Sequence, residues 1–120
     1  MLRLIHAFDV KPGVHEESFI EWLDAALFEK SRPFGCLERK TWRFLDGFEG
    51  TYEPNQQKPV RRPRYLNEAF WSSHEAAENF RKWLVSSEAK EFRARWFAGI
   101  TNHTVLRYVD YSPSRPPTDD

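Results

Sequence analysis

Hydrophobic and polar positions alternate from the start of the chain. Leu2, Leu4, His6, Phe8 and Val10 fall on one face of residues 2 to 10, with Arg3, Ile5, Ala7 and Asp9 on the other, which is the period of a β-strand. Pro12-Gly13 stops it, since proline lacks an amide donor and glycine turns the chain freely. From His15 to Ser31 the period lengthens: Phe19, Trp22, Leu23, Ala26 and Leu27 make one apolar stripe at helical spacing, ending before Pro33. Residues 36 to 45 and 64 to 71 are aromatic-rich and alternate imperfectly, which predicts a pair of adjacent strands. The connection around residues 47 to 63 is about three times the usual length and shows no pattern of its own. It reads as a flap over one end of the sheet or as a disordered segment.

A second helix is expected to start at Ser72, because Ser72 and Glu75 stand in the spacing of a capping box. Its stripe of Ala76, Phe80, Trp83 and Leu84 breaks at Ser86-Ser87 and resumes with Phe92, Trp96 and Phe97, with Gly99 as the C-terminal cap. Residues 104 to 111 read as a last strand, and the proline-rich residues 112 to 120 as a disordered tail or an arm onto a partner. An internal echo supports this order. Ala7-Phe8, His15-Glu16 and Phe19-x-x-Trp22-Leu23 in the first half are matched by Ala69-Phe70, His74-Glu75 and Phe80-x-x-Trp83-Leu84 in the second. Two interleaved βαβ halves predict an α+β, ferredoxin-like domain over residues 1 to 111, with a four-stranded antiparallel sheet carrying both helices on one face. The strands are apolar on both faces, so a second copy is expected to cover the other one and make a homodimer.

Lysine plus arginine and aspartate plus glutamate each number 18, so no net field favours a nucleic acid or an anionic membrane. No segment reaches the length of apolar chain that a membrane span needs. The lone cysteine, Cys36, excludes an internal disulfide and reads as a buried small hydrophobe in a reducing, cytoplasmic compartment. Aromatic residues make up 16% of the chain, so a few large side chains must fill the core, and such cores leave concave gaps.

Several short motifs resemble the antibiotic biosynthesis monooxygenase-like, dimeric α/β-barrel family. These are Lys11-Pro12-Gly13 after the first strand, Gly35-Cys36 opening the second, Glu68 and Trp71 ending the third, and Phe80-x-x-Trp83-Leu84-x-Ser86 on the second helix. The resemblance implies a pocket between sheet and helices in each protomer, used on aromatic polyketides, quinones or haem without a metal or flavin held by dedicated ligands. Haem-degrading proteins that resemble this family carry a tryptophan in the context of Trp83, lining the haem pocket. This chain departs from them at two places: His6 stands where they have an asparagine, and Arg93 where they have the axial histidine.

The candidate site residues each admit two readings. Trp83 is either a helix residue packed on the sheet or a pocket wall, and Trp71 closes a strand beside it. His6 is either a core histidine or a proton acceptor for a phenolic substrate, since a partly buried imidazole titrates near neutral pH. Arg39 and Arg43 share a strand face; they either solvate an edge or hold an anionic or carbonyl-bearing ligand against Trp42 or Trp71. His15 and His74 read as solvent-facing, His103 has no clear place, and the histidine spacing suggests no metal site. Two functions remain open. One is a cofactor-independent monooxygenase or cyclase acting on a small aromatic molecule of quinone or polyketide type. The other is a non-catalytic ligand-binding or stress-associated barrel, or a haem-binding relative lacking the axial histidine. A cavity reaching His6 would favour the first, a filled barrel the second.

Overall fold

The computed structural model describes residues 1–111; the tail expected at 112–120 lies outside the described residues. Strand β1 (Leu2–Val10) leads through the Pro12-Gly13 turn into helix α1 (Glu16–Ser31). A short 3-10 turn (Arg32–Phe34) precedes β2 (Cys36–Arg43), followed by the short strands β3 (Phe48–Gly50) and β4 (Gln57–Pro59) and then β5 (Tyr65–Trp71). Helices α2 (His74–Leu84) and α3 (Lys90–Gly99) lead to β6 (Ile100–Val109). The four long strands form an antiparallel sheet in the order β2-β5-β1-β6. This is the expected ferredoxin-like α+β arrangement, in which each half contributes one central strand and one edge strand.

The helices cover the face that carries Leu2, His6 and Phe8. One apolar cluster there joins Leu2, Cys36, Ala69, Trp71 and Phe80, and a second joins Phe8, Leu23, Leu27, Tyr65, Phe92, Trp96 and Ile100. Trp83 and Leu84 pack against both. The opposite face presents Ile5, Leu66 and Phe70 on the central strands, flanked by Trp42 on β2 and by Leu106 and Tyr108 on β6. Trp42, Leu106 and Tyr108 are 47%, 41% and 52% exposed, so this face exposes large apolar side chains in the single chain, beside the Arg3–Glu68 ion pair and Lys40.

Four local expectations change. The long connection is not patternless: β3 and β4 pair as a hairpin. Gly50, with φ +119°, turns it where a side chain would meet the Gln56 carbonyl. Helix α2 is capped by Ser73, whose hydroxyl accepts the Ala76 N–H at 3.0 Å. Ser72 instead donates its backbone N–H to Gly35 O at 3.1 Å, because it still belongs to the sheet end. Gly99 is the last helical residue rather than a left-handed cap, and the Phe19 ring fills the space a side chain would need. Finally, β6 begins at Ile100, four residues before the expected start.

The break at the serine pair is real, and its carbonyls are satisfied from α3. Arg93 donates to Leu84 O and to Ser86 O, supplying partners that the interrupted helix cannot. That clamp ties α3 to the end of α2.

Candidate active site

The return of α3 leaves a cavity of about 880 Å³ between sheet and helices, within the usual range for small-molecule sites. Its floor is the helix-facing side of β1, β2, β5 and β6, through Leu4, His6, Arg39, Trp71, His103, Val105 and Arg107. Its roof comes from α2 and α3, through Ala77, Glu78, Phe80, Trp96 and Phe97 among others.

At the centre stands a pair of histidines. His6 Nδ1 lies 2.9 Å from His103 Nε2, with the two rings nearly parallel at 11° and their centroids 5.2 Å apart. The Trp96 ring meets His6 edge-on at a centroid distance of 5.1 Å, and Phe97 meets His103 edge-on at 5.3 Å. Burial pushes the His6 pKa well below its ordinary value, helped by the charge of Arg39 and by His103. Burial also lowers His103. Two neutral imidazoles can share one hydrogen bond, the nitrogen of one donating to the lone pair of the other, whereas two imidazolium rings could not.

A backbone irregularity brings His103 there. The pairing of β1 with β6 slips between Ala7 and Asp9, where β6 holds one more residue than its partner. Asn102 sits in this bulge with φ +55°, a left-handed conformation that asparagine tolerates better than most residues. The Asp9 carboxylate holds it, accepting from Asn102 Nδ2 at 2.7 Å and from the Arg64 N–H at 2.9 Å. The bulge places Asn102 and His103 opposite Phe8, so that the His103 ring can reach His6.

The cavity walls contain unspent donors. Arg39 donates to Asn67 Oδ1 at 2.5 Å, but its buried Nε has no partner, and neither do the buried indole nitrogens of Trp71 and Trp96. All three residues line the cavity. Burial lowers the Arg39 pKa, partly offset by the nearby Cys36 and by Asp24. A buried donor without a partner costs on the order of 1–3 kcal/mol.

Of the residues singled out in the sequence, His6, Trp71 and Arg39 come together at the cavity. Trp83 lies outside its lining, stacked on Phe80 at 5.7 Å and close to Phe34 and Phe92, with Lys30 Nζ 5.7 Å from its ring. Trp42 points to the open face, where Lys40 Nζ sits 4.1 Å over its ring. Arg43 is exposed beside Tyr65 in register, at the other end of β2 from Cys36. His74 lies at the cavity rim and accepts from Arg107 at 3.1 Å, while His15 caps α1. His103, Trp96 and Arg107 were not singled out. The only sequence signal for His103 is an asparagine directly before it, a residue type that favours the left-handed conformation of a bulge. Arg93 has its donors on the Leu84 and Ser86 carbonyls, and a guanidinium offers no lone pair to iron. Among the described residues, no group of three His, Cys, Asp or Glu side chains could hold a metal ion.

Fold and cavity together define a ferredoxin-like α/β protein with a pocket between sheet and helices. Solved structures share this fold over nearly the whole chain. Protein At3g17210 from Arabidopsis thaliana is similar with a TM-score of 0.62 at 15% identity, covering 93% of this chain and 97% of that one. A single-residue mutant of MhuD, with two manganese protoporphyrin IX bound per active site, is similar at a TM-score of 0.56 and 20% identity, covering 93% and 99%. SnoaB, a cofactor-independent oxygenase from Streptomyces nogalater, is similar at 0.50 and 16%, covering 92% and 93%. At these identities the likeness is one of fold, the fold that the resemblance to monooxygenase-like α/β barrels implied. No family model matches the chain, and no curated protein matches it in sequence.

Proposed function

We propose that this protein is a cofactor-independent oxygenase or cyclase acting on a small aromatic substrate of quinone or polyketide type. The observation that carries the reading is the neutral His6–His103 pair inside an open, aromatic-walled cavity. In the tautomer where His6 donates from Nδ1 to His103, its Nε2 lone pair faces no protein partner among the described residues and accepts a proton from a phenol or enol. The proton gained at Nε2 is balanced by passing the Nδ1 proton to His103, whose ring is the less buried of the two. The Arg39 guanidinium, on the same cavity lining and with its charge felt at His6, is the group that would stabilise the developing oxyanion.

For an oxygenase, the phenolate shares its charge with a ring carbon that bonds one atom of O₂ and becomes a carbonyl. The hydrogen of that carbon and the phenolic proton leave with the other oxygen atom as water, so the substrate itself supplies the electrons and ends as a quinone. For a cyclase, the enolate carbon formed by the same deprotonation attacks a carbonyl of its own chain. The fold likeness to the cofactor-independent oxygenase SnoaB supports this reading, and so does the volume of the cavity against the alternative of a filled, non-catalytic barrel. A homodimer packed through the face of Ile5, Leu66, Trp42 and Leu106 completes the proposal, in a reducing compartment such as the cytoplasm where Cys36 stays a thiol. Among the described residues no helix is long and apolar enough to cross a membrane.

The test is oxygen uptake and product analysis with a panel of hydroquinones, anthrones and linear polyketide mimics. Turnover that falls at least a hundredfold in His6→Ala is expected. Turnover that survives this substitution unchanged would discard His6 as the base.

A further inference from the structure

The charges around the cavity are unequal. Its lining includes Arg39, Arg81, Arg93 and Arg107 but only one carboxylate, Glu78. Glu78 serves two of the arginines at once: Arg107 donates to its Oε1 at 2.9 Å and Arg81 to its Oε2 at 3.4 Å. His74 stands 4.0 Å from the same Oε1 and 3.1 Å from Arg107. Neither Arg39 nor Arg93 has a carboxylate at ion-pair distance among the described residues; Asp24 reaches Arg39 only through its longer-range charge. Four arginines against one carboxylate give the lining an excess of positive charge. A cleft lined by one sign of charge concentrates ligands of the other.

A chain that is neutral overall therefore gathers a local excess of positive charge at one concave, partly apolar place. Glu78 occupies the geometry that an incoming carboxylate would take, bridging two guanidinium groups on neighbouring elements, α2 and β6. We propose that the substrate is an aromatic acid, a ring system bearing a carboxylate, and that Arg107 and Arg81 at the cavity mouth bind this anion while its phenolic end reaches His6. Glu78 is the internal stand-in that holds the two arginines until the substrate arrives and then shares them. This rests on the functional reading above for the end of the substrate that reacts, but the binding of the anion does not depend on catalysis.

Calorimetric titration of the full chain with 1-naphthol and with 1-hydroxy-2-naphthoate separates the two ideas. The naphthoate is expected to bind at least about tenfold more tightly, as a charge-assisted hydrogen bond implies, and to lose that advantage as salt is raised. Arg107→Gln is expected to remove most of the preference for the naphthoate over 1-naphthol. Glu78→Gln is expected to tighten the naphthoate by up to about fivefold, because it removes the competing carboxylate of a part-exposed pair. Equal affinity of the native protein for the two ligands would overturn the proposal, and so would weaker naphthoate binding in Glu78→Gln. Arg107-dependent naphthoate binding with no oxygen uptake or cyclised product would keep the anion site and sink the catalytic reading. Oxygen uptake on neutral hydroquinones equal to that on their carboxylates would do the reverse.

Discussion

Acidification should destabilise this protein through its histidine pair before it affects the carboxylates. His6 is 9% exposed, its Nδ1 is taken by His103, and the charges that face it are those of Arg39 and a titrating His103. Its folded pKa is therefore lower than the unfolded value near 6.5. A depressed folded pKa contributes stability that is fully present above the unfolded pKa and is lost as pH falls from there towards the folded pKa. A histidine that stays neutral in the fold but titrates at about 6.5 when unfolded withdraws about 1.4 kcal/mol between pH 7.5 and pH 5.5. His103 is lowered too, by burial, and adds a smaller amount, so the pair together should withdraw about 2 kcal/mol. Urea unfolding at fixed protein concentration and three pH values measures this directly. His6→Asn should lose about 1 kcal/mol less than the native chain over the same interval. A native stability that stays level between pH 7.5 and 5.5, or a double His6→Asn/His103→Asn variant with the native slope, would refute the account of a neutral buried pair.

Three further outcomes are expected. Ser73→Ala should cost about 1 kcal/mol in urea unfolding and Ser72→Ala markedly less, because only Ser73 caps α2 through its side chain. Asn102→Ala should cost about 1–2 kcal/mol, combining a left-handed alanine with the loss of the Asp9 hydrogen bond; Asn102→Gly, which relaxes the backbone, should cost less, and equal costs would argue against strain in the bulge. On the open face, Leu66→Asp should yield monomers in sedimentation at micromolar concentration where the native chain sediments as a dimer, since a carboxylate there cannot be buried unpaired; a monomeric native chain would remove the proposed interface.

Much of the fold was legible because strand and helix leave different periods in the sequence. The alternation of Leu2 to Val10 and the stripe of Phe19, Leu23 and Leu27 each depend only on neighbours a few residues away, and both elements form as expected. The boundaries moved where a local signal had two solutions. Ser72 and Ser73 are both competent caps, and the choice fell to Ser73 because the Ser72 amide is already bonded to Gly35 across the sheet end. The hairpin of β3 and β4 was hidden because three-residue strands are too short to show alternation.

The site was half legible, for a different reason. His6 could be found because it is a polar residue on the strand face that the apolar pattern assigns to the interior, and Arg39 because it shares a face with Arg43 on a strand rich in aromatic residues. Trp83 and Trp96 both lie on apolar helix stripes, and nothing local shows that Trp96 alone, though a buried core residue, also reaches the cavity. That difference lies in how α2 and α3 pack over the sheet, where Arg93 ties α3 to the carbonyls of Leu84 and Ser86.

The sequence by itself determined the order of elements, the face of β1 that turns inward and the apolar character of both sheet faces, since each follows from side-chain spacing along one strand or helix. Only the tertiary structure decided that His103 would meet His6. That contact joins residues 97 positions apart and depends on one extra residue in the β6 pairing, a slip in register that moves side chains relative to the partner strand and that periodicity within β6 cannot reveal.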